Sequence, residues 1–203
     1  MNIRAIIACT MLVLLNCLAG SAVLAQTNEV DALLRRFGAN DELIALDHSF
    51  IKHHSNREWA AAAGIGEQLL AMAENQFGRL GKVDHPIVLT YLPRLAECYA
   101  QEEQYAKAEP LYRRMVAFYE FTKQPSEQAS SLVRLGDMLR NQRRYSESEA
   151  SLKRSINILT KLYGPKNFAL SEPLISLSFL YLMQGKQAEL ENVKRQLDSI
   201  LKK

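Results

Sequence analysis

A chain of 203 residues, 48% hydrophobic and 23% charged, has an ordinary globular composition with room for one compact domain or one repeat array. Its 25 basic and 22 acidic side chains nearly balance, which argues against a nucleic-acid ligand, because phosphate binding needs a dense basic face. Glycine and proline are scarce, and no stretch sustains alternation with β-branched enrichment, so the chain is predicted to be all-α.

Residues 1–25 begin with Arg4, continue through the apolar run from Ala5 to Leu15, and end in Gly20-Ser21-Ala22-Val23-Leu24-Ala25. This is the pattern of a secretory signal peptide, with Val23 and Ala25 in the two small-residue subsites. Cleavage is predicted between Ala25 and Gln26, which places the mature protein in a bacterial periplasm or outside the cell, with no stable membrane span. Two rivals remain in view. Leu14-Leu15-Asn16-Cys17 resembles a lipoprotein box but carries Asn16 where a small residue is wanted. Ala5 to Ala25 could also just span a bilayer as an uncleaved anchor, although Asn16, Gly20 and Ser21 weaken it. Cys9 and Cys17 depart with the leader. Cys98 then has no partner for an intramolecular disulfide and reads as a buried hydrophobe.

Residues 26–40 form an N-terminal segment in which Glu29 to Phe37 is a short helical pattern stopped by Gly38, a cap for the first exposed face of an array. Asp41 opens a helix carrying Leu43, Ile44, Leu46, Phe50 and Ile51, which gives way near His53-His54. The histidines His48, His53 and His54 miss the i, i+4 spacing of a helical metal pair, so they read as a solvated helix end and no metal site is predicted. Trp59 to Phe77 supplies a second helix. Its Gly64-Ile65-Gly66 follows no strand, which points to close helix packing rather than to phosphate binding. Residues 41–80 are thus a divergent repeat, with Asp84 a candidate N-cap for the helix that follows.

From Leu92 to Tyr119 two short amphipathic helices hinge at Glu103-Gln104, and the chain repeats them about 40 residues on. Leu92, Leu95, Ala96, Tyr99, Tyr105, Ala108 and Tyr112 fall on Leu132, Leu135, Gly136, Leu139, Tyr145, Ser148 and Leu152. A third copy begins with Leu174, Leu177, Ser178 and Tyr181. Two antiparallel helices can approach closely only where one side chain is nearly absent, here Ala96, Gly136 and Ser178. No single pair has enough apolar area to fold alone, so neighbours must stack. This spacing is similar to that of tetratricopeptide (TPR) repeats. The long period, together with the block from Glu103 to Glu120 and Leu162-Tyr163-Gly164-Pro165, resembles the kinesin-light-chain variant seen in exported bacterial proteins. The resemblance implies an all-α, right-handed superhelical solenoid of antiparallel helix pairs over residues 41–203, with repeats at 41–80, 86–122, 126–163 and 168–203.

No nucleophile stands beside a base, no carboxylates are paired in an apolar site and no Cys/His ligand spacing occurs, so neither an enzyme nor a cofactor is predicted. The resemblance implies function through a concave groove that receives a protein or peptide. Carried over position by position, the groove comprises Thr90, Arg94, Glu97 and Gln101, then Ser130, Arg134, Asp137 and Asn141, then Ile175, Phe179 and Met183. Family members usually place Asn where Arg94, Arg134 and Ser176 stand; two arginines one repeat apart suit an acidic ligand instead, unless each pairs with its own i+3 acid, Glu97 or Asp137. The pairs Arg113-Arg114 and Lys153-Arg154 read as a soluble outer face. Leu174 to Met183 is apolar nearly all round, which leaves Ile175, Phe179, Leu182 and Met183 for a partner, a second copy of the chain or its own N-terminal segment. The alternative role is a structural subunit of a cell-envelope or secretion assembly.

Overall fold

The computed structural model describes residues 31–201 apart from 33, 37, 81 and 82. The predicted leader and its cleavage site lie outside them. The described residues are helical almost throughout: α1 (Asp41–Ser55), α2 (Trp59–Phe77), α3 (Pro86–Gln101), α4 (Tyr105–Phe121), α5 (Pro125–Asn141), α6 (Tyr145–Tyr163), α7 (Ser171–Gln184) and α8 (Gln187–Leu201). A 3-10 turn at Phe168–Leu170 precedes α7, and a two-residue antiparallel ladder, Arg79–Leu80 with Val83–Asp84, separates α2 from α3. The fold is the all-α class of stacked helix pairs. Two compact units divide between Glu103 and Gln104.

In the first unit α1 packs on α2 and α2 on α3. Asn40 starts α1, its side chain accepting from the Leu43 amide at 2.9 Å. The helix α3 is capped by His85, whose Nδ1 accepts from the Ile87 amide at 3.3 Å, with Pro86 in the first turn. Asp84, expected to be that cap, is instead buried in the short ladder one residue earlier. Phe50 of α1 occupies the place where the later repeats have a small residue, and the compensation comes from α2. A Cβ on Gly66 would lie 3.0 Å from both Phe50 Cε2 and Leu95 Cδ1, so the absent side chain is what lets a phenyl ring fit. Gly64 plays no such part, being exposed with nothing within 4 Å of a Cβ.

The second unit runs as a chain of neighbours, α4 on α5, α5 on α6, α6 on α7 and α7 on α8, with α5 also touching α7. The closest approach is at Gly136, where a Cβ would stand 2.8 Å from Leu152 Cγ. At the same point Ser148 Oγ donates to the Gly136 carbonyl at 2.7 Å, so the hydroxyl of a buried serine is satisfied by the backbone it crosses. Ser155 repeats the device two turns on, donating to Ala129 O at 2.9 Å. Val133, Leu152, Leu159, Leu174, Leu177 and Tyr181 share one core with Leu190, Val193 and Ile200 of α8.

The turns reuse one backbone solution. Arg57, Glu103, Lys123 and Arg143 all have φ between 56° and 61°, the left-handed region. In each complete turn within a unit, the following amide reaches back five residues, as Arg144 N does to Leu139 O at 2.9 Å and Gln124 N to Tyr119 O at 2.9 Å. Gly185 makes the same turn between α7 and α8, with Lys186 N bonded to Tyr181 O at 2.9 Å.

Candidate functional site

The residues expected to line a groove divide between the two units. On α3 of the first unit, Glu97 and Gln101 are exposed and Arg94 is half-buried. Thr90 does not reach the surface: it is buried, and its hydroxyl donates to the Ile87 carbonyl at 2.7 Å. His54 of α1 lies against the rings of Phe50 and Trp59 and meets Glu97 at 3.2 Å, tying α1 to α3. His48 pairs with Asp31 at 2.8 Å and His53 with Glu58. The three histidines thus each hold a carboxylate instead of forming a merely solvated helix end. No cluster of three metal-ligating side chains occurs among the described residues.

Beneath this surface lies a polar pair that the sequence pattern did not single out. Asp47 of α1 and Tyr91 of α3 are 1% and 2% exposed, and Asp47 Oδ1 and Tyr91 Oη have no hydrogen-bond partner. Burial pushes the Asp47 carboxyl up to about 6, with Arg94 and His48 opposing and Asp31 adding to the shift. Burial, then the neighbouring Asp47, raises the Tyr91 phenol as well. A signal was present: Asp47 interrupts an apolar stripe, standing four residues after Leu43 and three before Phe50. On the same helix as Tyr91, Cys98 is fully buried, and burial followed by the charge of Glu97 pushes its thiol up to about 12.

The second unit brings most of the expected positions onto two adjacent helices. Ser130, Arg134 and Asn141 of α5 are exposed, as are Ile175, Phe179 and Met183 of α7, while Asp137 is half-buried between them. Arg134 reaches across to Glu172 of α7 at 3.1 Å, not to its own i+3 acid. Asp137 is taken by Arg140 at 2.7 Å and by the Ser176 hydroxyl at 3.4 Å, a second tie between α5 and α7. Burial raises the Asp137 carboxyl despite these partners. The first helices of successive pairs are therefore laced together by polar contacts. Beside them α7 presents Ile175, Phe179, Leu182 and Met183, between 45% and 61% exposed. Ile175 and Phe179 are one helical turn apart and the adjacent Leu182 and Met183 lie a turn beyond, so the four make one stripe on the side of α7 opposite its buried Leu174, Leu177 and Tyr181.

The second helices carry ion pairs of a different kind. Glu109 of α4 is nearly buried; burial would raise its carboxyl, but hydrogen bonds from Gln142, Arg113 and Arg144 outweigh it and hold the group below the usual range. Glu149 is held at about 2 by Lys153, with Tyr181 and Lys186 donating at 3.0 and 3.2 Å. Arg113 also meets Glu147 at 3.5 Å and Arg154 meets Glu120 at 2.7 Å. Arg113 and Arg154, one from each basic pair, thus join α4 to α6.

Residues 127–189, from α5 into α8, match the family model described as tetratricopeptide repeat. The chain is similar in fold to a Podosopora anserina protein of kinesin-light-chain type with nearly identical TPR-like repeats, at 19% identity and a TM-score of 0.62, over 78% of this chain and 74% of that one. It is likewise similar to BtubC (BKLC) from P. vanneervenii, at 14% identity and a TM-score of 0.65, over 88% of this chain and 72% of that one. The apo form of RapI matches at 12% identity with a TM-score of 0.64, over 87% and 62% of the two chains. No curated protein matches the sequence. The fold is that of TPR proteins of the kinesin-light-chain kind. No helix among the described residues is long and apolar enough to cross a membrane.

Proposed function

We propose that the protein is an exported, non-enzymatic TPR adaptor that receives an extended segment of a partner protein in a concave groove, with α5 and α7 as its working face. The observation that carries this reading is the arrangement of Arg134 beside the apolar stripe. Its side chain is 57% exposed and paired with Glu172, while Phe179 and Met183 stand open about two and three turns farther along α7. A ligand with an acidic group ahead of a hydrophobic anchor satisfies both, because a guanidinium has donors for a second carboxylate. Arg94 is half-buried on the other unit, so the charge-reading role rests on Arg134.

The test is binding of the partner captured by crosslinking in the native cell. Arg134→Glu and Phe179→Ala should each weaken it by at least about tenfold, roughly 1.4 kcal/mol, while leaving the helical signal intact. Arg195→Glu, on the exposed side of α8, is the control. Loss of binding in the control with retention in the other two would place the working surface elsewhere. The open stripe also favours a second reading, a structural subunit of an envelope assembly. In that case the stripe is covered permanently, and Phe179 is protected from labelling in the cell but not in the purified protein.

A further inference from the structure

The second helices of the second unit run parallel to one another. Arg113 of α4 meets Glu147 of α6 and, seven residues farther along both helices, Glu120 meets Arg154, so α4 and α6 point the same way. Lys186, just before α8, holds Glu149 of α6 as Arg144, just before α6, holds Glu109 of α4, so α8 repeats the relation. The C-terminal ends of α4, α6 and α8 therefore come to one edge. Tyr163 closes that edge onto the start of α5, its hydroxyl donating to Ser126 Oγ at 3.5 Å. Each end holds a large apolar side chain in solvent: Phe121 at 61% exposure, Leu162 and Tyr163 at 43% and 46%, and Leu201 at 59%. Phe168, in the 3-10 turn after α6, is 72% exposed. Lysines accompany each end in the sequence: Lys123 after Phe121, Lys161 and Lys166 around Leu162 and Tyr163, and Lys202 and Lys203 after Leu201. The acids there do not cancel them. Glu120 is paired with Arg154 and Glu172 with Arg134, and Glu127 and Asp198 are the other acids set against five lysines.

We infer that this edge docks on an anionic lipid surface, its apolar side chains entering between headgroups and acyl chains while the lysines meet the headgroup phosphates. The geometry favours lipid over a protein partner. Neighbouring packed helices stand roughly 10 Å apart, so side chains at separate helix ends build no packed pocket of the kind that holds a protein anchor. A fluid interface accepts each of them singly. Aromatic rings suit that level, and tyrosine keeps its hydroxyl among the headgroups. Lysine stems lie along apolar surface while the ammonium stays in water, which lets Lys161 and Lys166 serve beside Leu162 and Phe168. Each lysine near an anionic surface adds roughly fivefold to partitioning, and the gain fades within a Debye length of about 8–10 Å. Docking is therefore reversible and sensitive to salt. Neither Arg134 nor Phe179 takes part, so the inference stands apart from the groove.

The test places a tryptophan at the edge of the purified full chain and adds vesicles of equal parts phosphatidylcholine and phosphatidylglycerol with brominated acyl chains, which quench only an inserted indole. The chain's single tryptophan, Trp59, lies in the other unit and supplies the background. Phe168→Trp should be quenched at low salt, and much less at high salt or on vesicles of phosphatidylcholine alone. Ala188→Trp, exposed at the opposite end of α8, should not be quenched beyond the background. Adding Lys161→Glu and Lys166→Glu to Phe168→Trp should raise the lipid concentration at half-quenching by at least about tenfold with unchanged helical content, since both lysines are exposed. Binding through the predicted leader alone would leave Phe168→Trp no more quenched than Ala188→Trp, and that result overturns the inference. Quenching that is equal on neutral vesicles or indifferent to the two glutamates overturns it too, as does an edge that captures an acidic protein while Phe168→Trp stays unquenched by lipid.

Discussion

Asp47 is an acid that the fold takes in against its electrostatic interest. Its carboxyl is buried near Arg94 and Tyr91 of α3 with one oxygen unpaired, and burial lifts it to about 6 from an ordinary 3.8. The folded chain therefore holds a proton that the unfolded chain releases between those two values. Protons bound preferentially by the folded state make stability fall as pH rises, so the contribution is favourable below about pH 4 and is lost by about pH 6 to 7. A shift of that size corresponds to on the order of 2–3 kcal/mol, with the usual allowance for a buried group. Asp47→Asn, which imitates the protonated form, should be more stable than the parent at pH 7.5 and nearly equal to it at pH 4. Denaturant midpoints at the two pH values check this; a variant less stable at both would mean that the ionised carboxylate is the form the fold needs.

At the scale of the helix pair, two substitutions in one repeat should move stability in opposite directions. Gly136→Leu must push against Leu152, which is fully buried and already within 2.8 Å of the position of a Cβ, so a loss of at least about 1–3 kcal/mol is expected. Arg143→Gly, in the turn that follows, relieves a left-handed backbone at φ 61° on an exposed residue. The relief exceeds the entropy glycine adds to the unfolded chain by up to roughly 1 kcal/mol, a rise of about 2–4 °C in melting temperature. Equal melting of the two variants would mean that the contact of α5 with α6 is not as described. The first position was legible because a missing side chain in a stripe of leucines has a single steric use. The second was not, because Arg57, Glu103, Lys123 and Arg143 share a conformation that side chains of their type do not announce. The repeat pattern likewise carried α5, α6 and α7 by spacing alone, whereas the divergent pair hid its device by moving the small residue from α1 to Gly66 of α2. Among the expected groove residues, Arg134 stood out by its charge, but its bond to Glu172 did not. That bond joins helices of successive repeats, and periodicity within one helix favours the i+3 pair that the fold passes over. Thr90 failed for a related reason, since a threonine that donates to the carbonyl three residues back can be buried at no hydrogen-bonding cost.

For the whole molecule, the thiols supply the test of which chain exists where it works. The sequence has three cysteines, of which Cys9 and Cys17 lie in the predicted leader and Cys98 in α3. An oxidising compartment would oxidise an accessible odd thiol or pair it with another chain. Cys98 escapes both because it is fully buried and its thiol is pushed up to about 12, so almost no thiolate is present at neutral pH. We propose that leader removal before Gln26 leaves this one protected cysteine. Protein recovered from the exported fraction should take up no thiol reagent when native. It should take up one equivalent per chain in denaturant, with an intact mass that begins at Gln26. Three equivalents would mean that the leader is retained, and one equivalent on a chain that starts at Cys17 with added acyl mass would mean lipidation. Rapid labelling of the native protein would show that Cys98 opens to solvent, and the account of its protection by α3 would then fail along with the buried environment assigned to Tyr91 and Asp47 on the same side of that helix.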